Sequence, residues 1–257
     1  MRYCVTKTIA ITGKGGTGKT AVSALMIRSL SKKGKSILAV DADADTNLPE
    51  TLGCETVRTV GDAKEALQAE ITNPRPDNPD MNKESILKSK VYEIIEEMPG
   101  YDLLVMGRPE GSGCYCYVNN LLRGIIDKLV MNYEVVIIDA EAGLEHFSRK
   151  IIRDIDDLIV VTDASRRGFQ TAERIHELVD ELDSNIGQIH VIANKVTEFN
   201  REKLVKLADD LKLNLIGMIP LDHKIEEMDI KGVPLFEIPD DAAAAIEVEN
   251  IVKKLGF

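Results

Sequence analysis

The sequence predicts a single α/β domain spanning residues 1–257, built on a mostly parallel, twisted sheet of about seven strands with helices on both faces. Three observations support this fold class. Short, continuous apolar runs recur along the chain, amphipathic helical stretches separate them, and no linker rich in Pro, Gly or Ser divides the sequence. Strands of a parallel sheet are apolar throughout because helices cover both of their faces.

The predicted elements follow in chain order. The strands are residues 8–12, Ser36–Val40, Leu103–Met106, Val135–Ile138, Leu158–Thr162, Ile189–Ala193 and Leu215–Ile219. The helices are Thr20–Lys33, Lys83–Met98, Phe169–Leu182, Asn200–Leu211 and Asp240–Leu255, the last one beginning with Asp240 as its cap. A proline-rich stretch, Thr72–Pro79, predicts a surface insertion.

Composition and charge narrow the function. The net charge is −11 and the isoelectric point is about 5.0, so we expect no nucleic-acid partner, because such binding needs clustered Lys and Arg. We expect no membrane partner either, since there is no apolar run of about 18 residues. The amino terminus leads directly into a strand rather than a signal peptide, which predicts a cytoplasmic protein.

A glycine-rich segment, GKGGTGKT at residues 13–20, separates the first strand from the first helix. It matches the phosphate-binding pattern G-x-x-x-x-G-K-[ST], in which backbone N–H groups surround a phosphate, a lysine reaches the β- and γ-oxygens, and a hydroxyl binds Mg²⁺. The order strand, loop, helix predicts a P-loop NTPase fold that binds ATP or ADP; a glycine turn without a ligand is the alternative. The predicted nucleotide-binding residues here are Gly13, Gly15, Gly16, Thr17, Gly18, Lys19 and Thr20, with Thr20 also on Mg²⁺.

A second lysine, Lys14, lies inside this loop and is not needed by the pattern. Beside the loop's own phosphate, its charge would duplicate that of Lys19. Its useful position is across an interface, where it can stabilise transition-state charge on the nucleotide of a partner. The loop therefore predicts a homodimer controlled by nucleotide, with Lys14 and Lys19 as catalytic residues.

Carboxylates follow two of the predicted strands. Asp41, Asp43 and Asp45 leave the second strand at alternate positions, and Asp139 ends the strand Val135–Ile138. Beside a phosphate loop such groups can hold the waters of Mg²⁺ and orient an attacking water, and Asp139 is the expected outer-shell partner of the metal. An acidic, solvated loop is the alternative for the first group. Gly143, soon after Asp139, would let the following loop respond to the γ-phosphate.

Three residues after the last two strands could form the base pocket. The amide of Asn194 could read the adenine edge, the stem of Lys195 could cover the ring, and Pro220 could wall the same pocket. Asn and Pro are also ordinary loop residues, so this motif is weak. The nearby His190 is interpreted as structural.

A cysteine pair, Cys114 and Cys116, lies in the segment GSGCYC. From an extended segment, thiolates at i and i+2 point the same way and can bind one soft metal ion, either Zn²⁺ or Ni²⁺. Because two ligands are too few, a two-fold dimer contributing both cysteines from each subunit would complete the shell. A buried pair of small residues or a strained disulfide is the alternative; the other cysteines, Cys4 and Cys54, are interpreted as packing residues.

Together GKGGTGKT, VDADAD, IIDAEAG and GCYC resemble the deviant Walker A dimeric ATPases of the MinD, ParA and nitrogenase iron protein class. Within that class, GRPEGSGCYCYVNN and EAGLEHFSRK resemble the nickel-insertion ATPases that mature carbon monoxide dehydrogenase or acetyl-CoA synthase. The resemblance covers nearly the whole chain. It implies an ATP-hydrolysing dimer that holds one Ni²⁺, or Zn²⁺ in vitro, between Cys114 and Cys116 of both subunits and delivers nickel to one of those clients.

The same resemblance implies residue roles: Lys14 acts between subunits, Asp43 positions the water, Asp139 ends the Walker B strand and Asn194 reads adenine. Asp45 stands where many members of the class carry another residue. Two other functions remain open. One is a nonhydrolytic, nucleotide-gated metal store or sensor, and the other is an iron–sulfur carrier or electron-donor ATPase. The DNA-segregating and membrane-bound members are disfavoured, because the chain lacks a basic surface and its last helix is acidic.

Overall fold

The computed structural model describes residues 6–55, 57–72, 83–107, 116–140, 154–179 and 185–257. The strands are β1 (Lys7–Thr12), β2 (Ile37–Ala42), β3 (Glu96–Met98), β4 (Tyr101–Val105), β5 (Val135–Ala140), β6 (Asp154–Asp163), β7 (Asn185–Val196) and β8 (Leu215–Pro220). The helices are α1 (Lys19–Lys32), α2 (Leu48–Leu52), α3 (Val60–Thr72), α4 (Lys83–Glu93), α5 (Cys116–Val130), α6 (Arg166–Val179), α7 (Arg201–Asp210), α8 (His223–Lys231) and α9 (Ala243–Lys254). A short 3₁₀ helix covers Leu235–Glu237.

The strands form one sheet in the order β3-β4-β2-β5-β1-β6-β7-β8. All neighbours are parallel except β3 and β4. Strand β5 is buried along its whole length, as its continuous apolar sequence predicts. Two apolar clusters lie on opposite faces of the sheet: α1 and α9 contribute to one, and α5, α6 and α7 to the other. The predicted α/β fold with a mostly parallel sheet is confirmed.

Among the described residues, the sheet contains one strand more than the seven predicted, at its edge. The helix predicted to reach Met98 ends at Glu93, and Glu96–Met98 forms β3, antiparallel to β4 with Met98 opposite Tyr101. The turn between them is Pro99-Gly100, in which Gly100 has a φ of 95°. This dipeptide is a turn signal, but β3 is short and polar, so only its hydrogen bonds to β4 define it as a strand.

The last helix packs as predicted along most of its apolar face but begins differently. Ile251, Val252 and Leu255 are buried, whereas Ile246 is 49% exposed. The predicted Asp240 cap is wrong: the helix starts at Ala243, and Asp240 instead forms an ion pair with Arg28 of α1. Across the residues described, no helix combines the length and apolar character that crossing a bilayer requires.

The amino-terminal ends of the strands carry a buried polar network. Asp157 on β6 lies 2.7 Å from His190 Nε2 through Oδ1 and 2.8 Å from Lys7 Nζ through Oδ2. Asn214 Nδ2 donates to His190 Nδ1 at 2.9 Å, and Lys7 Nζ also donates to the carbonyl of Leu255 at 2.6 Å. The network ties β1, β6, β7 and the carboxyl terminus together, which agrees with the structural interpretation of His190.

Candidate nucleotide site

The predicted site residues lie at the carboxyl-terminal edge of the sheet, where ligands bind in open parallel sheets. The strands β2, β5 and β1 are adjacent, so their ends are brought together. In the sheet register Asp139 stands opposite Asp41 on one side and Ile11 on the other. Strand β1 ends at Thr12, one residue after Ile11, and the glycine-rich loop follows directly.

Two glycines of the loop occupy positions that no other residue fits. Gly13 has a φ of 145°, and a Cβ there would lie 2.1 Å from the carbonyl oxygen of Val161 on β6. Gly18 has a φ of 88°, and its Cβ would lie 2.4 Å from Asn194 Nδ2. Between them, Thr17 closes the loop by donating from its N–H and hydroxyl to the carbonyl of Lys14, at 3.3 and 2.8 Å. The loop is thus a compact cradle braced by the neighbouring strands, as phosphate binding requires.

Lys19 and Thr20 open α1, directly beside Asp139. The Lys19 side chain is buried, and Asp139, only 1% exposed, accepts a hydrogen bond from Ser23 Oγ at 3.0 Å and another from Thr20. Burial raises the pKa of Asp139 to about 6, although the bonds from Thr20 and Ser23 and the charge of Lys19 act to lower it. A hydroxyl held against a buried carboxylate fits Mg²⁺, which prefers hard oxygen ligands.

The acidic segment after β2 divides into buried and exposed carboxylates. Asp41 is fully buried and accepts the N–H groups of Asp43 and Leu48, each at 3.0 Å. Burial raises its pKa to about 7, and the nearby charges of Asp139 and Asp43 add to that effect. Asp43 is half-buried and accepts the N–H of Asp45 at 3.0 Å, while Asp45 itself is exposed. The alternative of a uniformly solvated acidic loop is therefore wrong for Asp41.

The extra lysine of the loop is exposed, unlike the buried carboxylates of this cluster. Lys14 is exposed together with Gly15 and Gly16, at the tip of the loop. Among the residues that the structure describes, it forms no ion pair. Lys19, in contrast, is buried against Asp139. The two lysines therefore occupy different environments, although only five positions separate them.

Asn194, Lys195 and Pro220 line one cavity of about 430 Å³ that also reaches Gly18. Its apolar wall comes from α1 and from the segment after β8. Asn194 is buried and is already engaged, since Nδ2 donates to the carbonyl of Thr17 at 2.9 Å and Oδ1 accepts the N–H of Lys195. This bracing of the phosphate loop was not predicted. No sequence signal shows it, because Thr17 and Asn194 are far apart in the chain.

Ser23 is a second residue that the sequence reasoning missed. It lies four positions after Lys19 on α1, and its hydroxyl bonds both to the Lys19 carbonyl and to Asp139. A serine one helical turn after the motif lysine, within the run of buried residues that begins α1, is the signal that could have identified it.

The predicted metal pair lies mostly outside the described residues. Cys114 is among the residues that the structure does not describe, and so is Gly143. Cys116 is the first residue of α5, so the extended conformation expected there does not continue through it. The preceding strand β4 ends at the same edge of the sheet, and Met106 N–H donates to the carbonyl of Asp41 at 2.9 Å.

Comparisons with known proteins agree with this geometry. Residues 8–235 match the CobQ/CobB/MinD/ParA nucleotide binding domain family. The chain is 52% identical over 248 residues to an uncharacterized ATP-binding protein of Methanocaldococcus jannaschii, covering 96% of this chain and 97% of that protein. It is 34% identical over 250 residues to the carbon monoxide dehydrogenase accessory protein CooC of Rhodospirillum rubrum, covering 90% and 89% of the two chains.

Solved structures show the same fold. A ParA family ATPase from Chlorobium tepidum superimposes with a TM-score of 0.74 at 18% identity, over 98% of this chain and all of that one. MinD from Pyrococcus horikoshii, in complex with Mg-ADP, superimposes with a TM-score of 0.68 at 20% identity, over 98% and 96%. The chain belongs to the CobQ/CobB/MinD/ParA family of nucleotide-binding proteins and is an ATPase related to CooC.

Proposed function

We propose that this member of the family is an ATP-dependent maturation factor that dimerises, binds nickel as its cargo and delivers it to carbon monoxide dehydrogenase or acetyl-CoA synthase. One observation carries the proposal. The paired cysteines Cys114 and Cys116 occur in a chain that matches CooC over nine-tenths of its length. The matched family alone supports ATP hydrolysis but does not indicate a metal.

In the proposed nucleotide site, the backbone of residues 13–20 and Lys19 hold the β- and γ-phosphates of ATP. Thr20 would bind Mg²⁺, which supplies charge neutralisation at the phosphates when bound, with Asp139 and Asp41 in its outer shell. Asp43, half-buried beside them, would orient the attacking water. The base would occupy the cavity lined by Asn194, Lys195 and Pro220.

Asn194 would then have two tasks. Its amide nitrogen has two hydrogens and one of them bonds the Thr17 carbonyl, and its amide oxygen has two lone pairs and one of them accepts from Lys195. One donor and one acceptor remain for the adenine edge. Base recognition and the shape of the phosphate loop would thus be coupled through a single side chain.

Lys14 is proposed to act on the nucleotide of the partner subunit in a homodimer. Its exposure at the loop tip and the position of Lys19 beside Asp139 support this role, because Lys19 already supplies the positive charge within the subunit. A dimer that forms through this edge would also bring the two cysteine segments together, since each segment leaves β4 at the same edge.

The link between nucleotide and metal is proposed to run through the segment after β4. The carbonyl of Asp41 fixes Met106, and eight residues later in the chain comes Cys114. A change at the Asp41–Asp43 turn on loss of the γ-phosphate would therefore displace the start of the cysteine segment. The four-thiolate shell would loosen, and nickel would pass to the client.

The decisive experiment measures nickel and zinc content and mass of the purified protein with ADP, with a nonhydrolysable ATP analogue and without nucleotide. The expected result is one metal ion per dimer, lost in the variants Cys114→Ser and Cys116→Ser. Cys54→Ser is the matched control, since Cys54 lies in the fold beside the Tyr101 hydroxyl and should leave the metal content unchanged.

Three outcomes would reject the proposal. If the cysteine variants keep one metal per dimer, the shared thiolate site is wrong. Nickel transfer to the client without hydrolysis would favour a nonhydrolytic store. Recovery of iron and sulfide instead of nickel would favour the iron–sulfur carrier.

A further inference from the structure

Two charged features at the carboxyl edge have no task in the proposed nucleotide chemistry. One is a pair of arginines, Arg166 and Arg167, after strand β6; the other is Asp45, after strand β2. All three side chains are exposed. They lie on opposite sides of the phosphate loop, because the local strand order is β2-β5-β1-β6.

The arginines occupy an unfavourable position for isolated cations. They are the first two residues of α6, and the amino terminus of a helix carries partial positive charge, which disfavours Lys and Arg there. The nearby carboxylate of Asp163 is already engaged, because its Oδ1 accepts the N–H of Ser165 at 3.1 Å and the Ser165 hydroxyl. Within the described part of the chain, neither arginine has a salt bridge.

The arginines lie on the same side of the site as Lys14. Strand β6 pairs directly with β1, and the approach of Gly13 to the Val161 carbonyl holds the end of β6 against the phosphate loop. Lys14, Arg166 and Arg167 therefore form a cationic side of the edge, which we call the basic side.

On the other side of the loop, the turn after β2 presents Asp45 to solvent. Its N–H is fixed on Asp43 Oδ1 at 3.0 Å, and the next residue, Thr46, has a φ of 53°, which is uncommon outside glycine. This tight turn leaves Asp45 exposed, and within the described residues its carboxylate has no cationic partner.

A two-fold axis can join these two sides. We consider an axis that is normal to the sheet and lies beyond its carboxyl edge, in line with the gap between β5 and β1. This axis places the carboxyl edges of two subunits face to face. The end of β2 in one subunit then lies opposite the end of β6 in the other. The basic side of one subunit then faces the Asp45 turn of the other. The same two-fold rotation places Lys14 opposite the end of β5 in the partner subunit, where the phosphates of the partner's nucleotide would lie.

We propose that Arg166 and Arg167 form ion pairs with Asp45 of the partner subunit, twice in each dimer, and that these pairs set the relative orientation in which Lys14 reaches the partner's nucleotide. The inference rests on the proposed homodimer and names the contact that orients it. Opposed charges at an interface favour one orientation mainly because the wrong orientation brings like charges together.

The test uses two charge-reversed full-length chains, Arg166→Glu/Arg167→Glu and Asp45→Arg. In a homodimer of either chain, both contacts are repulsive. In a mixed dimer both contacts are attractive, since glutamates face Arg-substituted position 45 on one side and arginines face Asp45 on the other. With a nonhydrolysable ATP analogue and Mg²⁺, we expect the dimer dissociation constant of each chain alone to rise about tenfold or more. The mixture should recover the wild-type value.

Matched controls exclude loss of folding. Arg174→Glu reverses an exposed charge further along α6 and should dimerise as wild type does. Glutamates at the start of α6 favour the helix, so the double variant should not unfold. Nucleotide affinity of the Arg166→Glu/Arg167→Glu monomer should also stay within about twofold of wild type.

The outcomes separate this inference from the proposed function. If the wild-type chain does not dimerise with the analogue, the proposed homodimer is wrong. If wild type dimerises and either reversed chain dimerises equally well alone, or the mixture fails to recover, the orienting contact is wrong while the homodimer stands.

Discussion

In the part of the chain that the structure describes, one buried carboxylate, Asp157, lies near the amino-terminal ends of the strands, and two, Asp41 and Asp139, lie at the carboxyl-terminal ends. Asp157 meets a histidine and a lysine within 2.8 Å. Asp41 and Asp139 lie near one another and receive mostly neutral N–H and O–H donors. As a result the pKa of Asp157 is lowered, whereas those of Asp41 and Asp139 are raised.

This difference separates stability from function within one sheet. A buried charge whose partner lies inside the chain is compensated, so loss of that partner destabilises the fold. Buried carboxylates that repel each other destabilise the fold until a cation or its bound water arrives. At the amino-terminal edge, the buried carboxylate of Asp157 already has its partners, His190 and Lys7, within the chain. At the carboxyl edge, the burial of Asp41 and Asp139 and the repulsion between them remain unfavourable, and a bound cation would reduce this unfavourable energy.

The largest expected effect is on catalysis, from the two lysines of the carboxyl edge. Lys19→Ala and Lys14→Ala should each lower ATP turnover by about 100-fold or more, because each removes charge from the transition state. Only Lys19→Ala should also abolish nucleotide binding, since Lys19 is buried and its charge acts on Asp139, whereas Lys14 is exposed at the tip of the loop. Turnover and nucleotide affinity measured on both variants check this, and wild-type turnover in Lys14→Ala would reject its catalytic role.

The next effect is on stability, from the amino-terminal edge. Asp157→Ala should lower the free energy of unfolding by about 3 kcal/mol, because it leaves the buried His190 and the half-buried Lys7 without their carboxylate partner. Urea denaturation measures it, and ATP turnover of the folded variant should not change. Asp154→Ala is the control: that carboxylate is exposed and bonds Asn185 at the surface, so its loss should cost under about 0.5 kcal/mol. Equal costs would contradict the role of the network.

The two edges should respond to pH with opposite sign. Burial acts to raise the pKa of Asp157, but the hydrogen bonds from His190 and Lys7 outweigh it and lower the pKa, so its stabilisation is present above about pH 4 and is lost as the pH falls. Burial raises the pKa of Asp41 to about 7, so the folded chain retains a proton that the unfolded chain releases near pH 4. Without nucleotide, the contribution of Asp41 to stability should fall as the pH rises from about 4 to about 7, by about 3 kcal/mol.

Urea denaturation across pH 3 to 8 can measure these two trends in separate variants. Asp41→Asn should reduce the loss of stability toward neutral pH to the part that Asp139 contributes, since the pKa of Asp139 is also raised, to about 6. Asp157→Asn should reduce the loss toward acid. A curve for Asp41→Asn parallel to wild type would show that its burial carries no such cost.

The smallest effect comes from the second partner of His190. Asn214→Ala removes the donor to Nδ1 at an exposed position and should lower the free energy of unfolding by about 1 kcal/mol. In the Asp157→Ala background the same change should cost less, because the ring is then no longer held in place. An additive double variant, measured by the same denaturation method, would show that Asn214 and Asp157 act independently.

The sequence predicted what depends on neighbours in the chain. Continuous apolar runs such as Val135–Ile138 predicted the buried strands, and the glycine and lysine spacing at residues 13–20 predicted the phosphate loop. Strand β3 was missed because three polar residues carry no apolar pattern, and their pairing with β4 depends on a hairpin. The cap at Asp240 was predicted from residue type, but Arg28 attracts that carboxylate across the fold.

By itself the sequence therefore determined the fold class and the identity of the phosphate loop, and the metal site at the cysteine pair stays a prediction. Those properties follow from residue types at fixed short spacing. Only the tertiary structure decided that Asn194 braces Thr17, that Ser23 and Thr20 both bond Asp139, and that Asp157 is paired while Asp41 is not. Burial and pairing are set by segments distant in the chain, and they decide which carboxylates stabilise the fold and which remain available to a ligand.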